Sequence, residues 1–547
     1  MMATFSAVLA SLLVLHLDFN TVQMKKDAVV DCLRVASRAG YNAVLWEIEN
    51  KVRWETCPEC VHPEAFSKDE FREILAEAER LGLEPIPLLQ TFGHAEYVLC
   101  HEKYAGWRES PSFRACYCVS KPEVKAFQKA LLHEYLELFG SRVRRFHLGG
   151  DEALVFGTCE VCRQHDKMDL YVKHLQEVSG ELAERGIRPG VWADMVLMGG
   201  NWESRHTGSV SAETVRKLPT AFTLWNWDYA YGTSDAKLGN AAQTASLTGL
   251  GYEVILCAAS QSFSDSPFLP RFRRHGENIA ACADLVRTNA LAGFCMTSWS
   301  VHLFPKSVQY PLWEFAAKRL ADASVDWEPV VSARWNGLAP DLVDRLSDWN
   351  GDYAKFDVRI YGYEKPALPA PPGELAKRLN AMDKNGVRPR IRDRARQDLR
   401  RIESALAELK GRATKGADGA RVLETGAELN AAFLRGVIGA LDGRCGVPEL
   451  PTDATRNYYQ SWQSRMSAAN ATALAWSLLG QKTAAGDAKP VPPLEEGLQL
   501  LGTFEDVPSV KEGFPGFACF NFDSRCVGAM KVACEGVLKT MTGKQRR

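Results

Sequence analysis

Between residue 12 and about residue 320 the chain alternates short β-rich apolar runs with longer helical stretches, and nothing else in it constrains the fold as strongly. Eight runs read as strands: Leu12 to Leu17, Ala43 to Ile48, Glu84 to Gln90, Arg144 to Leu148, Gly190 to Trp192, Phe222 to Trp225, Glu253 to Cys257 and Gly293 to Trp299. Strands separated by helices are joined by crossovers, so they run parallel and the crossovers are right-handed. The helices between them carry start and stop signals. Ser67 with Glu70 forms a capping box, Phe71, Ile74, Leu75, Ala78 and Leu81 share one face, and Gly82 ends the helix. Ser120 with Glu123 reads the same way, with Pro122 in the first turn and Gly140 at the stop. Eight such units predict a closed (β/α)8 TIM barrel. A doubly wound sheet would open on a Gly-rich phosphate loop, which this chain lacks.

At 547 residues the chain exceeds the roughly 250 to 300 residues at which one core stops growing. The sequence divides into a barrel over residues 1–325 and a mainly helical C-terminal domain over residues 326–547. Helices are expected over Asp341 to Tyr353, Arg390 to Lys410, Arg421 to Leu441 and Ala454 to Leu479, with Pro-rich breaks at Lys365 to Gly373 and Pro490 to Pro493. Arg388 to Arg401 is basic but interleaved with Asp393 and Asp398, so it reads as a solvated helix face. A net charge of -1 supplies no field to attract nucleic acid or an anionic membrane, so neither partner is expected. No apolar stretch reaches the ~20 residues that span a bilayer. Met1 to Leu15 is apolar, yet no Lys or Arg precedes Lys25 and the run flows into the first strand, unlike a secretory signal. Fifteen cysteines, an odd number without a signal, point to a reducing, cytoplasmic setting and to free or metal-bound thiols.

In a barrel of this class the chemistry gathers at the C-terminal ends of the strands. Those ends bring up Asp18, Glu47, Glu49, Gln90, His94, His147, Trp192, Asp194, Trp225, Tyr229, Ser260 and Trp299. The fourth strand delivers His147-Leu148-Gly149-Gly150-Asp151-Glu152. Neighbouring side chains on a regular strand face opposite ways, so Asp151 and Glu152 share a pocket only where the glycines let the backbone turn. Two carboxyl groups in one partly dry pocket titrate apart, one staying charged and the other keeping its proton. A Gly-Gly-Asp-Glu turn alone is an ordinary surface turn; its strand context gives it weight.

In this context the chain resembles the family 20 glycoside hydrolases, the β-N-acetylhexosaminidases, whose hallmark is His-x-Gly-Gly-Asp-Glu at the end of the fourth barrel strand. The likeness also takes in His16-Leu-Asp18, Gln90-Thr-Phe-Gly-His94-Ala-Glu, Trp192-Ala-Asp194-Met and the Trp299 strand. Lacking the small β domain that precedes most such barrels, the chain looks most like the hexosaminidase D branch. The resemblance implies a retaining exo-enzyme that removes terminal β-linked GlcNAc or GalNAc from a glycan or glycoconjugate by way of the substrate's own 2-acetamido group, an exception to the usual two-carboxylate scheme. Glu152 would be the general acid and then the base. Asp151 would orient the acetamide and stabilise its developing positive charge. Trp192, Trp225 and Trp299 would wall the pocket and stack on the sugar, while His94, His147 and Asp194 would position the sugar or the carboxylates. No cofactor is implied for the reaction. Two departures stand out. The Arg that ends the first strand in many members is replaced here by Asp18, and the usual Tyr beyond strand seven by Ser260-Gln-Ser-Phe263. Asp18 and Tyr229 are the expected substitutes.

A second constellation is the pair Cys57-Pro-Glu-Cys60 and Cys159-Glu-Val-Cys162, in the loops after strands two and four. Both have zinc-knuckle spacing, so Cys57, Cys60, Cys159 and Cys162 are expected to hold a structural zinc. Two rivals from other classes follow. A catalytically silent sugar-binding protein would keep the pocket for recognition; a zinc hydrolase would use the cysteines and lose activity to chelators.

Overall fold

The computed structural model describes residues 12–442, apart from 21–23, 63–64, 100, 112, 199–210, 235–239, 263, 267, 301–305, 350–379, 381–382, 384–385 and 412–417. The expected helix Ala454 to Leu479, both Pro-rich breaks and most of Met1 to Leu15 lie outside the described residues.

The strands are β1 (Leu12–Asp18), β2 (Ala43–Glu47), β3 (Glu84–Leu88), β4 (Arg108–Ser110), β5 (Phe113–Tyr117), β6 (Arg145–His147), β7 (Arg188–Trp192), β8 (Thr223–Trp227), β9 (Glu253–Gln261) and β10 (Gly293–Ser298). Eight of them close a parallel barrel in the order β1-β10-β9-β8-β7-β6-β3-β2. That is the (β/α)8 architecture read from the alternation. The other two, β4 and β5, pair antiparallel as a hairpin between β3 and the following helix. No strand was expected there: β4 is three residues long and polar, too short to show a period of two.

The barrel interior shows how the alternation places the chemistry. Val14, Ala43, Leu45, Ile86, Leu88, Trp192, Trp225, Ile255, Cys257 and Cys295 form one apolar cluster inside the sheet. The alternate residues Leu15, Leu17, Val44 and Trp46 belong to the cluster beneath the helices. Continuing each inward column by steps of two carries Val14 to His16 and Asp18, Leu45 to Glu47, and Leu88 to Gln90. The inward face therefore turns from apolar to polar as the strands reach their C-terminal ends.

Around the barrel, helix Lys68–Arg80 starts on the expected capping box, with Ser67 Oγ accepting from Glu70 N at 3.2 Å and Glu70 Oε2 accepting from Ser67 N at 2.8 Å. The matching box at Ser120 is absent. Helix Pro122–Phe139 starts from Lys121 without a side-chain cap, and Ser120 Oγ lies 3.0 Å from Cys162 Sγ instead.

Beyond the barrel, helices Trp327–Arg334, Pro340–Ser347, Val387–Gly411 and Asp418–Leu441 continue the same hydrophobic cluster as the barrel helices. The last docks on the loop after β9, where Asn430 Nδ2 donates to Ser266 Oγ at 2.8 Å. The Arg-rich stretch is spent on ion pairs such as Arg388–Asp383, Arg396–Asp442 and Arg401–Asp398. Among the described residues no helix is long and apolar enough to cross a membrane.

Candidate active site

The polar ends of the inward columns meet at one rim. His16 Nε2 lies 2.9 Å from Glu47 Oε2, and Glu47 Oε1 accepts from Gln90 Nε2 at 2.9 Å. Gln90 Nε2 also reaches Asp151 Oδ1 at 3.2 Å, and its Oε1 accepts from Gly150 N at 3.3 Å. Burial holds the His16 imidazole down at about 4, so the ring is neutral and, with its hydrogen on Nε2, donates to Glu47 Oε2. A hydrogen-bonded chain thus runs across β1, β2 and β3 to the carboxylate turn after β6. Glu47 and Gln90 could be placed on the rim from sequence, but their link to Asp151 needed the closed barrel.

The turn itself is built on two glycines. Gly149 and Gly150 have φ of 64° and 87°, a region that side chains other than glycine rarely enter. A Cβ on Gly149 would stand 2.0 Å from Gln90 Oε1, and one on Gly150 would stand 2.7 Å from the Tyr171 hydroxyl. Gly149→Ala should therefore expel Gln90 from its bridge between Glu47 and Asp151, lowering stability by about 2 kcal/mol. Urea unfolding measures this; an unchanged midpoint with unchanged activity would contradict it.

After the glycines, Glu152 adopts φ 42°, and across the pocket His94 adopts φ 49° and Glu49 φ 36°. These make up three of the five non-glycine residues with positive φ among the described residues, so the strain is concentrated at the rim. Such conformations cost on the order of 1–3 kcal/mol each and persist only where the surroundings impose them. For Glu152 the constraint is visible: Asp194 Oδ2 accepts from its backbone N at 3.0 Å, while Asp194 Oδ1 accepts from Trp227 Nε1 at 3.3 Å.

His94 Nε2 stands 3.5 Å from Asp151 Oδ2 and 3.6 Å from Glu152 Oε2. The two acidic side chains thus converge on one imidazole. Asp151 is only 6% exposed whereas Glu152 is 30% and His94 28% exposed, so the site opens to solvent on the Glu152 side. Burial pushes the Asp151 carboxyl up to about 6; His94 opposes that rise, and the Glu47 and Glu152 charges add to it. Burial also opposes a charge on His94, but the adjacent Asp151 and Glu152 carboxylates prevail and raise its pKa well above the ordinary imidazole value. At neutral pH the site holds an ionised Asp151 beside an imidazolium.

Residues 45–301 match the description "Glycosyl hydrolase family 20, catalytic domain". Residues 45–301 belong to glycosyl hydrolase family 20. Over 190 residues the chain is 32% identical to Hexosaminidase D of Bos taurus and 33% identical to Hexosaminidase D of Homo sapiens. Those matches take up 33% of this chain, 55% of the bovine protein and 39% of the human one, so the chain spans about half or less of these relatives. A solved β-N-acetylhexosaminidase from Bacteroides fragilis aligns with 58% of this chain and 70% of its own, at 17% identity and a TM-score of 0.43.

The family 20 domain brings Asp151, Glu152, His94 and Asp194 together at the rim, with His147 just beneath. His147 Nδ1 accepts from Gly149 N at 3.0 Å, so the imidazole braces the glycine turn from below, and burial keeps it neutral by depressing its pKa. The parts expected of Trp192 and Trp225 need correction. Trp192 and Trp225 are 0% and 1% exposed and fill the barrel interior, one layer below the opening, so neither offers a face to a sugar. For Trp225 the reason is strand length: β8 runs on to Trp227, which occupies the rim position that Trp225 was assigned, and Trp192 pairs in register with Trp225 in that lower layer. Trp227 is the aromatic that sequence reasoning missed, and the Trp-x-Trp alternation was its signal. It stacks on Tyr229 with centroids 5.4 Å apart, and Trp299 Nε1 donates to the Tyr229 hydroxyl at 2.7 Å. Trp227, Tyr229 and Trp299 form the aromatic side of the opening.

Asp18 also differs from its expected part. Its Oδ1 accepts from Asn20 N at 2.6 Å and its Oδ2 from Ser300 N at 2.7 Å, while its backbone carbonyl accepts from Ser300 Oγ at 2.6 Å. Oδ2 and the backbone carbonyl thus seal β1 against the end of β10, while Oδ1 holds the turn that follows β1. Lys306, half-buried nearby and donating to Ser298 O at 2.8 Å, is a cation that sequence reasoning did not single out.

The cysteine expectation is corrected too. Cys159 and Cys162 gather with Cys118 and Glu109, all four ligand atoms lying within 4.8 Å of one another, and Cys57 and Cys60 are not among them. Cys60 sits instead in the short turn Pro58–Cys60, where its carbonyl accepts from Asn50 Nδ2 at 3.0 Å. The intervening β4–β5 hairpin, unseen in the sequence, brings Cys118 into the place assigned to the Cys57 pair.

Proposed function

We propose that this chain is a retaining exo-β-N-acetylhexosaminidase, cleaving terminal β-linked GlcNAc or GalNAc with the help of the substrate's 2-acetamido group. The observation that carries the reading is the convergence of Asp151 and Glu152 on His94 at 3.5 and 3.6 Å, at the rim of a family 20 barrel. Asp151, buried yet ionised at neutral pH beside the imidazolium, suits a charge stabiliser, and Glu152, reached by solvent, is placed to pass protons to the leaving group and from water.

In this reading the acetamide carbonyl oxygen attacks the anomeric carbon as the glycosidic bond breaks. Glu152 donates its proton to the departing oxygen, then takes one from the water that opens the cyclic intermediate, restoring the acetamide and the β configuration. Asp151 accepts the acetamide N–H and faces the positive charge that grows on it. That interaction is stronger in the transition state than in the ground state, which is what lowers the barrier. Trp227, Tyr229 and Trp299 would hold the sugar and exclude water. Asp194 and Gln90 act on the carboxylates through the backbone of Glu152 and the side chain of Asp151.

The electrostatics give the reading a pH signature. Asp151 works ionised, so kcat/KM should fall as pH drops through about 6. His94→Gln removes the opposing cation, so Asp151 binds its proton more readily and the acidic limb should move to higher pH by about 1 pH unit or more. The pH profile on an aryl β-N-acetylglucosaminide measures it; an unmoved limb would show that His94 does not tune Asp151.

The test of the function itself is release of nitrophenol from the aryl β-GlcNAc and β-GalNAc glycosides, compared side by side. Turnover of at least one, lowered in Glu152→Gln, supports an enzyme. Binding of the sugars without turnover would favour a silent sugar-binding protein.

A further inference from the structure

Next to the carboxylate turn, and unused by the proposed reaction, lies the cluster of Glu109 on β4, Cys118 just beyond β5, and Cys159 and Cys162 in the loop after β6. Cys118 Sγ is 3.7 Å from Cys159 Sγ and 3.8 Å from Cys162 Sγ. A disulfide would need about 2.05 Å. Two thiolates held at about 2.3 Å by one tetrahedral zinc ion stand about 3.8 Å apart, so the sulfurs already have the separation of a shared metal.

Glu109 supplies an independent sign. It is 2% exposed, and its Oε1 accepts from Thr158 N at 2.7 Å and Cys159 N at 2.8 Å. Its Oε2 is buried with no hydrogen-bond partner. A buried carboxylate oxygen without a donor is costly, and a cation removes that cost. Around the sulfurs, Cys162 N donates to Cys159 Sγ at 3.4 Å and Ser120 Oγ lies 3.0 Å from Cys162 Sγ. Such outer donors spread the charge of metal-bound thiolates. Three soft sulfurs and one carboxylate in a closed set suit zinc, and four protein ligands leave no open position for water.

We propose that Glu109, Cys118, Cys159 and Cys162 bind one zinc ion as a structural site that fastens the β4–β5 hairpin to the loop carrying Asp151 and Glu152. The hairpin also holds the segment of His94, since Ala95 N donates to Ala115 O at 3.2 Å and Tyr117 N to Phe92 O at 2.9 Å. The metal therefore ties the loop that presents the imidazole to the loop that presents both carboxylates. Each thiol surrenders its proton to solvent as its sulfur binds the metal, so uptake of zinc acidifies the medium.

Metal content is read without substrate, so the proposal stands or falls apart from the assigned reaction. The full-length protein, purified from zinc-supplemented medium, should carry about one zinc per chain by elemental analysis. Cys118→Ser and Cys162→Ser should lose that zinc and unfold at lower temperature, whereas Cys57→Ser and Cys60→Ser should keep it. If the first two variants do not fold, the wild-type protein reloaded with cobalt(II) should show thiolate-to-metal charge-transfer absorption and the visible bands of tetrahedral cobalt. Zinc-free wild-type protein, zinc retained by Cys118→Ser, zinc lost from Cys57→Ser, or a cobalt spectrum without thiolate bands would each overturn the proposal.

Discussion

Replacing Glu152 by Gln should lower kcat on an aryl β-N-acetylhexosaminide by about 10²- to 10⁴-fold, the usual contribution of a positioned general acid and base. The amide keeps the size of the side chain and its place after the glycine turn, and the hydrogen bond from Glu152 N to Asp194 Oδ2 at 3.0 Å does not involve the side chain. Stability should therefore change little. The loss should depend on the leaving group: a phenol of low pKa departs with little help from an acid, whereas a sugar alcohol cannot. Rates measured over a series of aryl glycosides should fall more steeply with leaving-group pKa in the variant than in the wild-type protein. An equal loss for every leaving group would mean that Glu152 shapes the pocket without moving a proton.

Replacing Asp151 by Asn should cost about 10²- to 10³-fold in kcat, the scale seen when one group aimed at transition-state charge is removed. Asp151 sits at the crossing of the buried network, accepting from Gln90 Nε2 at 3.2 Å while His94 Nε2 lies 3.5 Å from its other oxygen. The amide cannot present a negative charge to the acetamide nitrogen, so its variant should also lose most of the preference for an acetamido sugar over a 2-hydroxyl sugar. The free energy of unfolding should rise or stay level, because a neutral group at this buried position avoids the desolvation that pushes the carboxyl up to about 6. A marked drop in stability together with unaltered substrate preference would place Asp151 among the structural groups.

The barrel was legible because its signal is repeated. Each of the eight strands sits where the apolar runs predicted, with ends moved by a few residues, and the Ser67 capping box forms as read. Those features depend on neighbours in sequence. What escaped depends on neighbours in space or on small shifts of a strand end. Extending β8 to Trp227 moved the rim aromatic by one inward step and dropped Trp225 into the core. Ser120 matched a capping pattern, yet Cys162 Sγ stands 3.0 Å from its hydroxyl, so the helix begins without it. The thiol cluster is assembled by a hairpin whose first strand is only Arg108–Ser110, and no local periodicity marks so short an element. For Asp18, the backbone N–H of Ser300, 282 positions away in sequence, decides what the carboxylate does. The carboxylate pair was readable because glycines, strand end and acids follow one another in the chain; its coupling to Glu47, Gln90 and His94 was written only in the fold.

The most direct measurement compares, on the wild-type protein, kcat/KM for nitrophenyl β-N-acetylglucosaminide or β-N-acetylgalactosaminide with kcat/KM for the matching 2-hydroxyl glycoside. An internal acetamide nucleophile held near the anomeric carbon is worth many orders of magnitude in effective concentration. The account predicts turnover of an acetamido sugar and a rate at least about 10³-fold lower for its 2-hydroxyl counterpart. Comparable rates on both sugars would contradict it.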